Sequence, residues 1–386
     1  MISAGIAFRN FKNKKKKSTF KIKQTLKLLI KEENEVIKSL KKSYKDSFSK
    51  KNLKKYKKSK YFRVIGMGGS TLGTQAIYQF LKKNIKKDFV FVDNLQTNTN
   101  IDIKKKCINI IVSKSGNTIE TIANTNFYLN NSNQNIFITE NNKNHLFLLA
   151  KKLKSEIIHH NNFIGGRYSV LSEVGMLPAD LMGLDSSKFR QLNLLINNKK
   201  FFNSLVSNVS STVQLIKKKK FNSIIINYDE KSINLFKWYQ QLIAESLGKK
   251  KKGLLPVIST MPKDNHSVMQ FYLDGLQNNF FTFFYVKETN SKKIKNRYML
   301  PSLNFLKEKN LSDITHAQKE ATEVVFRKKN IPFRSFEINK RDEKTLGELF
   351  CFFILETILL GKCLNLNPYD QPAVELIKQE TKKILI

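Results

Sequence analysis

The chain has 386 residues, 41% of them hydrophobic, and a formal net charge of +38. The length suits two or three packed domains, and no stretch reads as a membrane span: the most apolar, residues 349–360, falls short of the roughly 20 residues a spanning helix needs and carries Glu356. The basic residues 1–23 have scattered apolar positions unlike a signal peptide, and Cys107, Cys351 and Cys363 have neither metal-like nor disulfide-like spacing, which points to a reduced, cytoplasmic setting.

Residues 11–60 are lysine-rich, with Leu26, Leu29, Ile30 and Ile37 at helical spacing, and predict one or two exposed amphipathic helices. The pattern then changes to strands alternating with helices. Strands are predicted at 62–67, 89–92, 108–112 and 135–139, and helices at 72–81, after 118 through Tyr128, and at 145–153. A second set follows: strand 223–227, helix 232–247, strand 279–286, helix 315–327 and strand 332–338. From Thr345 the chain reads as helical with a break near Asn367-Pro368, and the run from Phe350 to Leu355 suits a buried helix. The expected fold class is therefore α/β with parallel sheets covered on both faces. The expected division is a helical N-terminal segment 1–55, α/β domains 56–195 and 196–344, and a C-terminal helical segment 345–386.

Six segments carry groups suited to chemistry. Ser113-Lys114-Ser115-Gly116-Asn117-Thr118 lies where a strand ends and a helix begins. Hydroxyls, unpaired N–H groups and the positive end of the helix dipole there suit a phosphate monoester, although an ordinary N-cap has the same composition. Gly68-Gly69-Ser70 occupies an equivalent junction. Gly66 and Gly68 fit the first two glycines of a dinucleotide fingerprint, but Thr71 stands at the third, so nucleotide binding is disfavoured. In Gly165-Gly166-Arg167-Tyr168-Ser169, a sharp turn presents an arginine that can stabilise an oxyanion or simply make a salt bridge. Glu245, near the end of helix 232–247, is a candidate base or a solvated helix glutamate. His266 sits in the polar loop Asp264-Asn265-His266-Ser267, and Lys378 is one lysine among many. The pair His159-His160 reads as surface, and His316 as structural at a helix start.

Together these segments resemble the phosphoglucose isomerase family in its bacterial form. Residues 165–169 resemble its glycine-glycine-arginine signature, Gln241–Lys249 its glutamate segment, and Asp264–Gln270 its histidine segment. Tyr369–Lys378 resembles its C-terminal signature. The match runs in family order from about 60 to 380. It implies two sugar-isomerase (SIS) αβα domains and reversible isomerisation of glucose 6-phosphate and fructose 6-phosphate through a cis-enediolate, in glycolysis and gluconeogenesis. By the resemblance, Glu245 moves the proton between C1 and C2, Arg167 stabilises the enediolate, and His266 and Lys378 open the ring. Ser113, Lys114, Ser115 and Thr118 hold the phosphate, and Gly69, Ser70, Gln241 and Gln371 line the sugar site. No metal or organic cofactor is implied. A homodimer is implied, because the family's histidine comes from the neighbouring subunit. Ala373 stands where glycine is common, and its methyl restricts the backbone only if φ there is positive.

Two other readings remain. A non-catalytic SIS-domain regulator would keep the phosphate turn and add a DNA-reading module, of which the sequence shows no helix-turn-helix form. A related isomerase would also accept mannose 6-phosphate. The charge is assigned to composition rather than to a nucleic-acid or membrane partner: lysine dominates, arginine is sparse, and the runs at 14–17, 217–220 and 249–252 are dispersed. On that reading, truncation before about residue 50 leaves the chemistry intact at some cost in stability.

Overall fold

Apolar runs rich in isoleucine, valine and phenylalanine pair into two sheets in the computed structural model of the chain. It describes residues 1–12, 19–96, 106–130, 133–288, 291–295, 297 and 299–386, so the lysine run at 14–17 lies outside the described residues. The strands are β1 (Ile6–Arg9), β2 (Tyr61–Gly66), β3 (Asp88–Val92), β4 (Ile108–Val112), β5 (Gln134–Thr139), β6 (Glu156–His159), β7 (Asn222–Asn227), β8 (Leu255–Thr260), β9 (Asn279–Val286) and β10 (Phe333–Ile338). The first sheet has the order β3-β2-β4-β5-β6 and is parallel throughout. The second has the order β1-β10-β9-β7-β8 and is parallel except for β1, which runs antiparallel to β10. Every residue of β4 and β9 is buried, as expected for parallel strands covered on both faces.

Three strands depart from the sequence reading. β1 falls in the segment read as helical; its four residues, Ile-Ala-Phe-Arg, are too few to show a period. β6 has only two apolar residues. β8 contains Pro256, which argues against a central strand, and β8 accordingly lies at the sheet edge. The helices Phe20–Lys31 and Glu35–Ser39 form as predicted but are not merely exposed: Leu26, Leu29, Val36 and Ile37 are buried in the main core.

Helix Glu343–Cys363 is apolar on all sides and buried from Thr345 to Gly361. Its most deeply buried carboxylate, Glu356, accepts hydrogen bonds from Asn208 (2.5 Å) and Arg334, which satisfies a charge that would otherwise be costly. The two sheets are joined where helix Leu72–Phe80 packs on helix Ile233–Leu247. This joint brings the Gly68–Ser70 turn from the first half to Gln241 and Glu245 from the second.

Candidate active site

In the first sheet the strand order reverses between β2 and β4, and open parallel sheets form their ligand crevice beyond the carboxyl ends of such strands. Gly66 at the end of β2 pairs with Val112 at the end of β4, so the turns that follow, 68–70 and 113–118, lie side by side. In the second turn Ser113 Oγ and Thr118 Oγ1 are 3.0 Å apart, and Gly116 donates its N–H to Ser113 Oγ at 3.2 Å. Gly116 has φ +66°, and a Cβ there would collide with Asn144 at 1.8 Å, so only glycine fits. Thr118 is the N-cap of helix Ile119–Tyr128, yet its side chain makes no capping bond, which leaves first-turn N–H groups open to an anion. Lys114 flanks the turn, 3.7 Å from Glu140, and the Ser115 hydroxyl accepts from Asn117 N.

Gly69 lies directly against the second glycine turn. A Cβ on Gly69 would stand 2.1 Å from the Gly166 carbonyl carbon and 2.5 Å from Arg167 N. This contact seats Arg167 at the junction of the two halves. Its side chain is buried, and all five guanidinium donors are engaged. Nε donates to Ser246 Oγ (2.8 Å), Nη1 to Glu245 Oε2 (3.2 Å) and Gln371 Oε1 (2.7 Å), and Nη2 to the carbonyls of Pro368 (2.7 Å) and Asp370 (3.1 Å). Glu245 also accepts from Gln241 Nε2 at 3.0 Å and keeps about a third of its side chain exposed. Gln241 Oε1 is buried without a hydrogen-bond partner. A cleft of about 520 Å³ opens here, lined by Glu245, Lys249, Asp370 and Gln371, a size suited to a small phosphorylated ligand. A larger groove of about 820 Å³ lies by Gln134 and Glu156, at the opposite, amino ends of β5 and β6, with none of these groups.

Sequence reasoning named no role for Ser246, Tyr168, Pro368 or Asp370. Tyr168 OH lies 2.8 Å from Ser246 Oγ and 3.0 Å from the Pro368 carbonyl, and burial pushes its phenol pKa up. All four adjoin named motif residues, and their joint work on Arg167 is visible only once chain segments some 200 residues apart meet.

Two site residues stand apart. His266 is exposed at the end of a short turn beyond β8, and no hydrogen bond links it to Arg167 or Glu245 among the described residues. Lys378 projects from helix Pro372–Leu385, which has no buried residue, and pairs with Glu375 at 2.6 Å. Ala373 lies inside that helix and not among the positive-φ residues, so its methyl costs nothing there. The one described group of potential metal donors, His316, Glu320 and Glu337, has atoms within 4.8 Å of one another; the Lys319 ammonium already lies 2.6 Å from Glu320 and 3.8 Å from Glu337.

The surface reading of His159-His160 needs correcting. His159 is exposed, but His160 is 1% exposed, 3.8 Å from Glu173, with its ring against the Asn161 carbonyl. Burial lowers the His160 pKa to about 4, with Lys114 and His159 adding to the effect, while burial raises that of Glu173. Below pH 6.5 the unfolded chain takes up a proton that folded His160 refuses, so stability is expected to fall between pH 6.5 and 4. At about 1.4 kcal/mol per unit, the loss approaches ~3 kcal/mol. Glu173 acts oppositely: its raised value adds stability on the acid side that fades as pH rises past 4.5. Thermal unfolding of wild type and His160→Gln from pH 7 to 4.5 isolates the histidine. Identical pH slopes would refute the assignment.

Comparison with known proteins agrees with this geometry. The phosphoglucose isomerase family model matches residues 10–386. A glucose-6-phosphate isomerase from Methanocaldococcus jannaschii is 32% identical over 374 residues, covering 88% of each chain. One from Mycoplasmopsis pulmonis is 34% identical over 351 residues, covering 83% of this chain and 82% of its own. Among solved structures, a glucose-6-phosphate isomerase from Chlamydia trachomatis superposes with a TM-score of 0.72 at 18% identity, over 95% of this chain and 83% of that one. A hypothetical protein from Thermus thermophilus superposes with a TM-score of 0.83 at 22% identity, over 95% and 94%. With a family match that spans nearly the whole chain, and an arginine and a glutamate meeting where two parallel-sheet halves join, the chain belongs to the phosphoglucose isomerase family.

Proposed function

We infer that this cleft performs the reversible isomerisation of glucose 6-phosphate and fructose 6-phosphate, and the Arg167–Glu245 contact carries the assignment of roles. Aldose–ketose interconversion needs one base beside C1 and C2 and a cation beside their oxygens. Glu245 takes the proton from C2 and returns it to C1, and the reverse in the other direction. Arg167 stabilises the enediolate. Its Nε and Nη2 are fixed by Ser246 and two carbonyls, whereas Nη1 is shared by Glu245 and Gln371, the two partners that line the cleft. A substrate oxygen gains this donor by competing with those two side chains.

Ser113, Ser115, Thr118 and Lys114 hold the phosphate, whose binding energy orients the reacting carbons. Gly69, Ser70, Gln241 and Gln371 line the sugar, and His266 and Lys378 open its ring. His266 serves the partner's site in a homodimer; its exposure, with no hydrogen bond to Arg167 or Glu245 among the described residues, supports this reading. So does helix 372–385, which leaves Leu376 and Ile377 at least 65% exposed. The three free cysteines fit a cytoplasmic enzyme. No helix among the described residues is long and apolar enough to cross a membrane.

A coupled assay that converts fructose 6-phosphate to glucose 6-phosphate tests the function, with mannose 6-phosphate run beside it. Ser113→Ala with Thr118→Ala is expected to raise KM about tenfold or more, with a smaller loss in kcat. Unchanged affinity would place the phosphate elsewhere.

A further inference from the structure

The lysine run 249–252 was assigned to composition, yet its backbone is unusual. An antiparallel bridge joins Lys249 to Lys252. Between them Lys250 and Lys251 have φ of +52° and +57°. Two consecutive left-handed residues define a tight hairpin turn that asparagine and glycine occupy readily and lysine does not. Gly253 follows at φ +122°, where a Cβ would stand 2.5 Å from the Leu247 carbonyl. Strain of this kind persists where the surroundings hold it in place.

The turn throws its two end lysines onto one target. The Lys249 ammonium contacts the Asn367 carbonyl and lies 2.5 Å from Asp370 Oδ1, and Lys252 Nζ donates to the Leu364 carbonyl at 3.2 Å. Lys249 is largely shielded, with 11% of its side chain exposed. Its hydrogen bond to Asp370 holds that carboxyl below the usual carboxylate range. The same strap, residues 364–371, gives the Pro368 carbonyl, the Asp370 carbonyl and the Gln371 amide oxygen to Arg167. Arg167 and Tyr168 grip it from within, and Lys249 and Lys252 grip it from outside.

We propose that the Lys249–Lys252 turn positions the catalytic strap: it fixes the 364–371 segment so that Gln371 shares Arg167 Nη1 with Glu245, and it fixes the origin of the helix that carries Lys378. This rests on the roles assigned above to Arg167, Gln371 and Lys378. Lys249 is a positioning residue, since it acts on those groups through Asp370 and the strap backbone.

The test compares Lys249→Met, Lys249→Arg and Asp370→Asn with wild type, measuring kcat and KM for fructose 6-phosphate together with Tm. Lys249→Met is expected to lower kcat by roughly 10- to 100-fold, the scale of a small misplacement of reacting groups, with KM and Tm little changed. Lys249→Arg should recover most of the loss. Asp370→Asn should share the defect, and the double variant Lys249→Met with Asp370→Asn should be no worse than either single one. A control removes charge but keeps the grip: Lys250→Asn with Lys251→Gly suits the turn and should leave kcat intact. A larger defect in that control than in Lys249→Met would make the run an attractor of anionic substrate and overturn positioning. Wild-type kcat in Lys249→Met, or a loss tracked by a fall in Tm, would overturn it too. Inactive wild type would instead refute the isomerase reading beneath it.

Discussion

Replacing Glu245 by glutamine is expected to lower kcat by about 10²- to 10⁴-fold, the usual contribution of a positioned general base. The amide keeps the size of the side chain: its oxygen can still accept from Arg167, now 3.2 Å from the carboxylate, and its NH2 can donate to Gln241 once that amide turns its unpartnered Oε1 inward. What it loses is the ability to accept a carbon-bound proton. Substrate binding should persist, because the phosphate turn and the sugar-lining groups are untouched, so KM or direct binding should move far less than kcat. Folding should persist as well, since the side chain is partly exposed. The same variant also tests the proposed sharing of His266 between subunits. Mixed with His266→Ala subunits under exchange conditions, it should regain activity, because one site in each heterodimer would then combine an intact glutamate with an intact partner histidine. Wild-type turnover in folded Glu245→Gln would remove the base assignment. Mixtures that stay inactive despite demonstrated subunit exchange would remove the shared site.

Much of this architecture was legible because the signals were local. β4, Ile-Asn-Ile-Ile-Val, declares a buried strand by composition, and the hydroxyl-rich turn after it declares a helix start. Helix 343–363 announces its burial through an unbroken apolar run. Local signals failed where an element borrows its stability from elsewhere. β1 exists because β10 offers it an edge, and β8 tolerates Pro256 because it is itself an edge. The site shows the same division. Glu245 and Arg167 stand out as residue types in recognisable segments. Their contact depends on Gly69 packing against Gly166, and the fixing of Arg167 depends on Pro368 and Asp370, some 200 positions away. A spacing rule has no access to such distances. Lys249 was hidden for another reason: among so many lysines its identity carries no signal, and only the left-handed turn behind it sets it apart.

Removal of residues 1–50 is expected to abolish folding, a far larger effect than the intact chemistry at some cost in stability that the basic composition suggests. Its described lysines are exposed or half-buried, but most of its apolar side chains point inward: Ile2, Ile6, Phe11, Leu26, Leu29, Val36, Ile37, Leu40 and Phe48 all belong to the main core. At about 1.5–3 kcal/mol for each buried side chain, even part of their combined contribution matches the whole net stability of a typical protein, about 5–15 kcal/mol. Polar ties run the same way. Asp46 pairs with buried Arg190 at 2.5 Å, Arg9 lies 2.8 Å from buried Glu323, and Glu32 meets Lys362 at 2.5 Å. Without Asp46 and Arg9, Arg190 loses its carboxylate partner and Glu323 one of its cations, both in buried surroundings, a further cost of a few kcal/mol. Loss of β1 would also leave β10 as an open sheet edge, inviting aggregation. If the deletion gives only insoluble protein, Leu29→Ala provides the graded measurement: a fully buried leucine whose truncation should cost about 2–5 kcal/mol in urea unfolding. A soluble 51–386 fragment with native circular dichroism and an unchanged Tm would show that the segment merely decorates the core.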